Sequence, residues 1–449
     1  MREGQTFKIQ AGGTGARNTG GRDKRSKYKR DLDLENCLPS RRSKYRREDR
    51  RLKCRNILCF PIQDEQKVIG VAELCNKTDG PAFSRFDEEL ATAFSIYCGL
   101  SLLHSLLYKR VNDMQMRSKM SNELIMYHMQ VPVEEYESLA QAPQPDVPPS
   151  FALFSFTPKV IPESLSPRFV VYMLEDLDLL APHRIPKETV ARFVLMVKKG
   201  YRDHPYHNWK HAFAVTHFCY LLLKNLQLRQ KGILSSLDCL TMMTACLCHD
   251  IDHRGTTNSF QVASNSALAS LYSSEGSVME RHHFAQTIAI LNSEGCNIFE
   301  TLDGGKYEAA INLLRDLILA TDLVNHIGIL PQQREMAVRG FVRTDKRHRQ
   351  LLLCLFMTCC DFSDQTKDWL SSKRTAELIY QEFFRQGDLE KAMGKRPSEM
   401  MDRETACIPR LQIEFIDEFA LPVFTVLSQL FPEASPPLAN LRKNRHCWE

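Results

Sequence analysis

Apolar stretches with helical spacing follow one another from about residue 152 to residue 431 of this 449-residue chain, without a convincing β-hairpin between them. Residues 310–319, Ala-Ile-Asn-Leu-Leu-Arg-Asp-Leu-Ile-Leu, are typical, because their apolar side chains recur on one helix face. A body of about 280 residues of this kind can bury a large core and enclose a deep pocket between helices. The main body is therefore predicted to be mostly α-helical.

Two apolar runs upstream of this body predict a β-hairpin. Ile57–Ile62 and Val68–Leu74 have the composition of strands, and the polar connector 63–66 separates them. Ser84 and Asp87 then form the sequence pattern of a capping box, at which a helix begins. We therefore expect a small α/β unit that ends in a helix.

That helix is predicted to be long. Apolar residues keep helical spacing from Leu90 to about Met129, which is more than a small sheet can cover. The surplus apolar face predicts a connecting helix through which two copies of the chain form a homodimer. Five prolines within residues 131–150 then predict a linker at a domain boundary.

The first 55 residues differ in composition from the rest of the chain. They contain 18 Lys or Arg against 7 Asp or Glu and almost no periodic apolar residues. Such a segment cannot bury enough surface to offset its chain entropy, so we predict a disordered basic tail. Contact of this tail with nucleic acid or anionic lipid is the functional alternative to a solvated tail.

Cysteine usage and the apolar runs predict where the protein resides. The 15 cysteines include no Cys-x-x-Cys pair, and no signal peptide is visible in the first ten residues. The longest apolar run, Leu351–Cys360, is about half a membrane span, so no transmembrane segment is predicted. We expect a reduced, cytoplasmic protein, with peripheral membrane association as an alternative.

Histidine and aspartate come together at several points inside this apolar helical sequence. His207 and His211 are spaced for one helix face, and His249–Asp250 directly follows the apolar run 242–248. Asp361 follows the apolar run 351–360 in the same way.

These positions are physically costly without a partner. An unpaired carboxylate at the end of a buried apolar helix costs several kcal/mol, and a divalent cation is the simplest way to stabilise several of them beside imidazoles. Imidazole with carboxylate suits Zn²⁺, whereas carboxylate with water suits Mg²⁺ or Mn²⁺. The combination of residues predicts a metal site; no single residue does.

Two motifs carry a family resemblance. His249-Asp250-x-Asp252-His253-Arg254-Gly255-Thr256-x-Asn258 and Tyr206-His207-Asn208-Trp209-x-His211 resemble the signatures of class I cyclic nucleotide phosphodiesterases, within the HD superfamily of metal-dependent phosphohydrolases. The resemblance covers about residues 160–449. The stretches 273–284 and 387–394 resemble in particular the cGMP-stimulated, dual-specificity (type 2) group. Asn76–Lys77, Phe83 and Asp87–Glu88 resemble a motif of cyclic-nucleotide-binding GAF domains.

The resemblance implies a mostly α architecture, with an all-helical HD-type catalytic domain preceded by a partial α/β GAF remnant and a long connecting helix. The expected divisions are a tail at 1–55, a partial GAF domain at 56–100, a connecting helix and Pro-rich linker at 101–150 and a catalytic domain at 151–449. Because only the C-terminal part of a GAF domain is identified, we expect no activation by cGMP.

The resemblance also implies a mechanism. His211, His249, Asp250 and Asp361 would hold Zn²⁺, and Asp250 would bridge to a second ion, Mg²⁺ or Mn²⁺. A hydroxide activated by the two metals would open the cyclic phosphodiester of cAMP and cGMP, with His207 as the general acid.

Further residues take supporting roles by the same resemblance. The residues expected to orient ligands and bound water are Tyr206, His253, Asn258, Glu280, Thr321 and Asp322. Those expected to bind the purine are Gln412, Phe415 and Ile379, and rotation of the Gln412 carboxamide would accept both adenine and guanine. Hydrolysis would terminate cyclic nucleotide signals.

Two other functions compete with this hypothesis. An HD phosphohydrolase acting on nucleoside monophosphates or triphosphates would share the metal ligands. A catalytically silent, truncated regulator would instead act through dimerisation by residues 86–129 or through binding of nucleic acid by residues 1–55.

Overall fold

The computed structural model of the protein describes residues 8–11, 55–64, 67–272 and 276–449. The chain divides into two units, Met1–Gln115 and Met116–Glu449, and each is described by itself. Helices dominate the described residues, so the prediction of a mostly α protein is confirmed.

The first unit contains a three-stranded antiparallel sheet of β1 (Lys8–Ala11), β2 (Ile57–Asp64) and β3 (Lys67–Cys75), in the order β1-β3-β2. The predicted hairpin is present, but its strands are longer than expected and only residues 65 and 66 separate them. Among the residues of this unit that the structure describes, four buried side chains form a small core: Phe60, Ile62, Ala72 and Ala91.

The strand β1 corrects one prediction. Lys8–Ala11 lies in the segment predicted to be a disordered tail, yet these residues pair with 70–73 of β3. The physical reason is that β3 has a second edge whose backbone groups need partners, which the hairpin alone does not supply. Residues 1–7 and 12–54 of the predicted tail lie outside the described residues.

Helix α1 (Arg85–Met129) begins and ends where the sequence pattern predicts. Ser84 and Asp87 form the reciprocal capping contacts: the backbone N–H of Ser84 donates to Asp87 (2.6 Å), and that of Asp87 donates to Ser84 Oγ (3.3 Å).

By length and apolarity alone, residues 85–117 of this helix could cross a membrane, with a mean hydropathy of 1.6 over the most apolar 18 residues. One such helix is weak evidence for a span, because core helices pass the same test.

A further helix lies in the segment predicted to be a linker. Val133–Gln141 forms α2, because Tyr136 and Leu139 recur at helical spacing and turn toward the protein. Tyr136 is buried, and the guanidinium of Arg192 lies 4.1 Å from its ring centroid.

The second unit is helical throughout its described residues. Its remaining α-helices are α3 (Ser166–Asp176), α4 (Lys187–Gly200), α5 (Trp209–Asn225), α6 (Ser236–Cys248), α7 (Asn258–Ala263), α8 (Ala267–Tyr272), α9 (Val278–Leu291), α10 (Gly304–Leu319), α11 (Leu323–Arg339), α12 (Lys346–Asp361), α13 (Trp369–Ala392), α14 (Ile408–Phe415), α15 (Leu421–Leu430) and α16 (Ser435–Trp448). Short 3₁₀ turns connect several of them, and a π-helical segment, Ile416–Ala420, follows α14.

Three of these helices form the centre of the core. Helix α5 packs against α6 and α12, and all three are buried along most of their length. The N-terminal turn of α5 therefore meets the C-terminal ends of α6 and α12. Functional side chains at these three ends are brought together inside the protein.

Candidate metal centre and active site

The start of α5 places two histidines beside each other. The side-chain oxygen of Asn208 caps this helix by accepting hydrogen bonds from the backbone N–H of Lys210 (2.9 Å) and His211 (3.3 Å). His211 therefore lies in the first turn, whereas His207 precedes the cap. The prediction that both imidazoles lie on one helix is wrong for His207, because extended Asn208 (φ −133°, ψ −179°) ends the helix before it. The two ring centroids are still only 5.9 Å apart.

Two other helix ends complete a cluster of four side chains. His249 is the C-terminal cap of α6, Asp250 follows it, and Asp361 is the last residue of α12. His211 Nε2 lies 3.2 Å from His249 Nε2, 3.1 Å from Asp361 Oδ1 and 3.6 Å from Asp250 Oδ2. His249 Nε2 lies 3.2 Å from Asp250 Oδ2 and 3.4 Å from Asp361 Oδ1.

The hydrogen bonding of His249 requires a positive charge in this cluster, either a second proton on the ring or a metal ion. Its Nδ1 lies 2.9 Å from the backbone oxygen of Cys246, and because a carbonyl only accepts, Nδ1 must carry the proton. In the neutral ring, the Nε2 lone pair would then face two carboxylates, which is repulsive. Burial opposes a charged ring, yet Asp250 and Asp361 raise the pKa of His249 well above its usual range.

The same cluster fits a metal ion. Tetrahedral zinc holds nitrogen and oxygen ligands at about 2.0–2.2 Å, which separates neighbouring ligand atoms by about 3.4 Å. The separations in the cluster, 3.1 to 3.6 Å, are of this size. Two imidazoles and two carboxylates form the donor set of a divalent-cation site. Even without Asp361, the ligand atoms of His211, His249 and Asp250 lie within 4.8 Å of one another.

A second group of possible ligands adjoins the first. Asp250, His253 and His283 also bring ligand atoms within 4.8 Å of one another. His283 donates through Nδ1 to the backbone oxygen of Ile251 (2.7 Å), and its Nε2 lies 3.6 Å from Asp250 Oδ1. Burial lowers the pKa of His283 to about 4, so this ring is neutral and has an Nε2 lone pair facing Asp250. Asp250 is common to both groups.

Glu382, on α13, is a site residue that the sequence did not reveal. One carboxylate oxygen lies 2.5 Å from His207 Nδ1, and the other accepts hydrogen bonds from the backbone N–H of Tyr206 (3.1 Å) and His207 (3.2 Å). Burial alone would lower the pKa of His207, but the Glu382 carboxylate raises it to about 9. The imidazole of His207 is therefore protonated at neutral pH.

A cavity of about 410 Å³ opens above these residues. Its size lies within the range of small-molecule sites. The predicted site residues that line it are Tyr206, His207, Asp250, His253, Asn258, Glu280, Thr321, Asp322, Asp361, Ile379 and Phe415. His211 and His249 are fully buried beside it, with 1% of each side chain exposed.

The residues predicted to orient ligands are held by their own hydrogen bonds. The amide of Asn258 donates to Glu280 (2.9 Å) and accepts from the backbone N–H of Met279 (2.8 Å). Burial, with a contribution from Asp322, raises the pKa of Glu280 to about 7. Thr321, in the turn after α10, donates to the backbone oxygen of Ile318 in that helix (2.8 Å), so its hydroxyl proton is already engaged.

Asp322 and His253 are placed by neighbouring elements. Asp322 caps α11 by accepting from Val324 N (3.0 Å), and its other oxygen accepts from Ser277 Oγ (2.6 Å). The His253 ring lies 4.0 Å from that of His207, between centroids. Burial, followed by the nearby charge of His207, lowers the pKa of His253 well below its usual range, so His253 is neutral.

The predicted purine-binding residues are only partly together. Ile379 and Phe415 are on the cavity wall, and the Phe415 ring packs edge-on against Phe362 at 5.2 Å. Gln412 is 3% exposed and lies behind this wall. Within the described part of the chain, its side-chain oxygen has no hydrogen-bond partner.

The missed residues have no local sequence signal. Glu382 lies in the amphipathic helix α13, 175 residues from His207, and resembles any polar residue of a helix face. His283 was part of a resemblance motif, yet only its contact with Asp250 distinguishes it from its neighbour His282.

Comparisons with known proteins give two family matches for this chain. Residues 206–441 match the family described as 3′5′-cyclic nucleotide phosphodiesterase. Residues 2–102 match the GAF domain family, so this match begins within the predicted tail, before the expected boundary at residue 56.

Two relatives illustrate the similarity of sequence. A protein described as cGMP-specific 3′,5′-cyclic phosphodiesterase from Drosophila virilis is 37% identical over 398 residues, which cover 88% of this chain and 44% of the relative. The protein of the same description from Drosophila melanogaster is 37% identical over 410 residues, which cover 90% of this chain and 36% of the relative. The chain thus spans less than half the length of these curated relatives.

Proposed function

The chain belongs to the family of 3′5′-cyclic nucleotide phosphodiesterases, and from this membership we propose that it hydrolyses the cyclic phosphodiester of cAMP and cGMP to 5′-AMP and 5′-GMP. The observation that carries the proposal is the meeting of His211, His249, Asp250 and Asp361 beside a cavity whose wall contains protonated His207. Such a reaction ends cyclic nucleotide signals.

The four clustered residues are proposed to hold Zn²⁺, and Asp250 to share a second ion, Mg²⁺ or Mn²⁺, toward His253 and His283. When bound, such ions offset charge on phosphate oxygens and lower the pKa of water. The protein orients the ligands: the backbone oxygen of Cys246 holds His249 in one tautomer, and the helix ends fix the positions of the carboxylates.

His207 is proposed to protonate the departing 3′-oxygen. Its Nδ1 is occupied by Glu382, so Nε2 is the atom that can donate to a substrate. The charge of Glu382 stabilises the protonated ring before the reaction and offsets the desolvation of that ring. Glu382 also orients His207 by accepting from its backbone N–H.

Purine recognition is proposed to follow the dual-specificity (type 2) group. Ile379 and Phe415 provide apolar faces for a base. The side-chain oxygen of Gln412, which has no hydrogen-bond partner among the described residues, would accept a hydrogen bond from the base once this side chain turns into the cavity. Adenine and guanine present opposite donor and acceptor patterns, so acceptance of both requires the carboxamide of Gln412 to rotate. The descriptions of the two Drosophila relatives name cGMP alone, so hydrolysis of cAMP is the result that tests dual specificity.

The decisive experiment measures hydrolysis of cAMP and cGMP by the purified chain with added Mg²⁺, beside an Asp361→Ala variant. We expect both 5′-monophosphates from the wild type and a loss of at least about 100-fold in kcat in the variant. Asp368→Ala, which removes a largely exposed carboxylate seven residues further on, is the matched control and should retain activity.

Two results would contradict the proposal. Hydrolysis of dAMP or dGTP without turnover of cyclic nucleotides would indicate a different phosphohydrolase. A folded, metal-loaded chain that hydrolyses none of these substrates would instead support the silent regulator.

The proposed partner, a second copy of the chain, follows from the first helix. We propose a cytoplasmic homodimer formed through the apolar face of α1, on which Tyr97, Leu100 and Leu107 are more than half exposed. An exposed stripe of this length needs a partner of similar length, and a second copy of the same helix supplies one.

A further inference from the structure

A buried carboxylate lies behind His211, on the side of the ring away from the metal cluster. Asp364 Oδ2 is 3.7 Å from His211 Nδ1, and the two side chains are 4% and 1% exposed. This separation allows an ion-pair contact but exceeds a hydrogen bond. Within the described chain, His211 Nδ1 has no hydrogen-bond partner, which is costly for a buried polar atom.

The position of Asp364 is fixed by its own contacts. Lys159 Nζ donates to Asp364 Oδ2 (3.2 Å) and also to Thr375 Oγ1 (2.5 Å). The backbone oxygen of Asp364 accepts from Ser372 Oγ (3.0 Å). Lys159 thus holds the carboxylate and Ser372 holds the backbone of the same residue. The burial of the carboxylate is offset by the Lys159 amine, whose side chain is 27% exposed.

The short helical turn after α12 explains why this carboxylate is present. Asp364 follows Asp361 by three residues in the 3₁₀ helix Phe362–Thr366, and residues so spaced lie on the same side of a 3₁₀ turn. Asp361 contacts Nε2 of His211 and Asp364 lies opposite Nδ1. One turn of chain therefore places a carboxylate at each nitrogen of the same imidazole.

We propose that Asp364 is a positioning residue for the metal ligand His211: its negative charge, 3.7 Å from Nδ1, favours the proton on Nδ1 and so keeps the Nε2 lone pair directed at the ion. This inference rests on the metal-dependent function proposed above. A neutral imidazole carries one proton, and the partner of one nitrogen decides which nitrogen is left to bind a metal. A carboxylate partner also makes the ligand nitrogen more basic, which strengthens metal binding.

The two imidazole ligands would then be oriented by different means. His249 donates its Nδ1 proton to a backbone oxygen, which no side-chain substitution removes. His211 depends on the Asp364 side chain, so its contribution to metal affinity can be changed by mutation. Asn at position 364 keeps the shape and an oxygen acceptor but loses the charge.

The test measures zinc affinity of the full-length chain, stripped of metal and titrated with Zn²⁺ against a chromophoric chelator. For Asp364→Asn we expect zinc binding weakened by roughly 10–100-fold. Asp368→Asn is the matched control, because it makes the same chemical change four residues away at an exposed position. Asp368 caps its helix by accepting a hydrogen bond from Ser371 N, which Asn can also accept. Its zinc affinity should stay within about twofold of the wild type.

The melting temperature of the metal-free proteins separates positioning from a structural role. If Asp364 only stabilises the fold, Asp364→Asn melts at a lower temperature while the folded variant binds zinc as tightly as the wild type, and this result overturns the inference. If Asp364→Asn changes neither the zinc affinity nor the melting temperature, the inference is overturned as well. If the wild type binds no zinc, the metal site and the proposed hydrolysis fail together; if it binds zinc and hydrolyses cyclic nucleotides, only the role of Asp364 is in question.

Discussion

The contact between His207 and Glu382 determines the charge of the proposed general acid. Because Glu382 raises the pKa of His207 to about 9, the acid is protonated below that pH and activity should fall as pH rises through it. In Glu382→Gln the raising charge is lost and burial remains, so His207 should lose its proton at lower pH. We expect kcat at pH 8 to fall by about 10–100-fold and less at pH 6.

The measurement is the pH profile of kcat for cAMP between pH 6 and 9.5. Gln at position 382 still accepts from the backbone N–H of Tyr206 and His207, so the local structure should persist. Glu390→Gln, two turns along the same helix, is the control and should keep the wild-type profile. A Glu382→Gln profile with an unshifted alkaline limb would show that Glu382 does not set the charge of His207.

How far the sequence reveals a residue depends on its surroundings in the chain. His249, Asp250 and Asp361 stand out because each interrupts or ends a long apolar run, where a polar group needs a physical reason. Glu382 and Asp364 have no such contrast, since Asp364 has polar neighbours on both sides and Glu382 lies in an amphipathic helix where polar and apolar residues alternate. Their partners, His207 and His211, lie 175 and 153 residues away, and only packing brings them together.

At the scale of the element, the cap of α5 couples stability to the site. Asn208 accepts from the N–H of Lys210 and His211, so Asn208→Ala should cost about 1 kcal/mol of unfolding free energy and displace His211. Ser235→Ala removes the cap of α6 at the end remote from His249 and should cost a similar amount. We expect only Asn208→Ala to lower zinc affinity and kcat, measured beside denaturant unfolding.

Equal activity of the two cap variants at equal stability would contradict this coupling. The comparison is informative because both substitutions remove one capping side chain from a buried helix. They differ in whether a metal ligand lies in the first turn.

Elements with local signals are predicted well, and those that depend on distant pairing are not. The capping box and apolar spacing predict both ends of α1. Nothing in Lys8–Ala11 predicts a strand, because its pairing with β3 joins residues about 60 positions apart. The four-residue spacing of His207 and His211 predicts one helix for both, but spacing cannot detect that Asn208 is the cap and that the helix begins after it.

At the scale of the whole molecule, the exposed face of α1 predicts self-association. A homodimer should have a mass of about 103 kDa by light scattering, twice the 51.7 kDa of the chain. Leu100→Glu with Leu107→Glu places charges on the apolar face and should give the monomer. Ser105→Glu with Asn112→Glu places the same charges elsewhere on the helix and should leave the dimer intact. A wild-type monomer, or loss of the dimer in both variants, would contradict the assignment of this face.

The match of residues 2–102 to a GAF domain raises the question of whether cGMP activates the chain. Among the described residues that match a GAF domain, four buried side chains, Phe60, Ile62, Ala72 and Ala91, pack the sheet against its helix. These four are too few to enclose a purine as well. We therefore predict that cGMP does not activate this chain. With cAMP as substrate, added cGMP should only compete for the catalytic cavity, so the rate of cAMP hydrolysis should fall steadily as cGMP increases. A rise in that rate at low cGMP, before the fall, would mean that a second nucleotide site exists and that the first unit forms it.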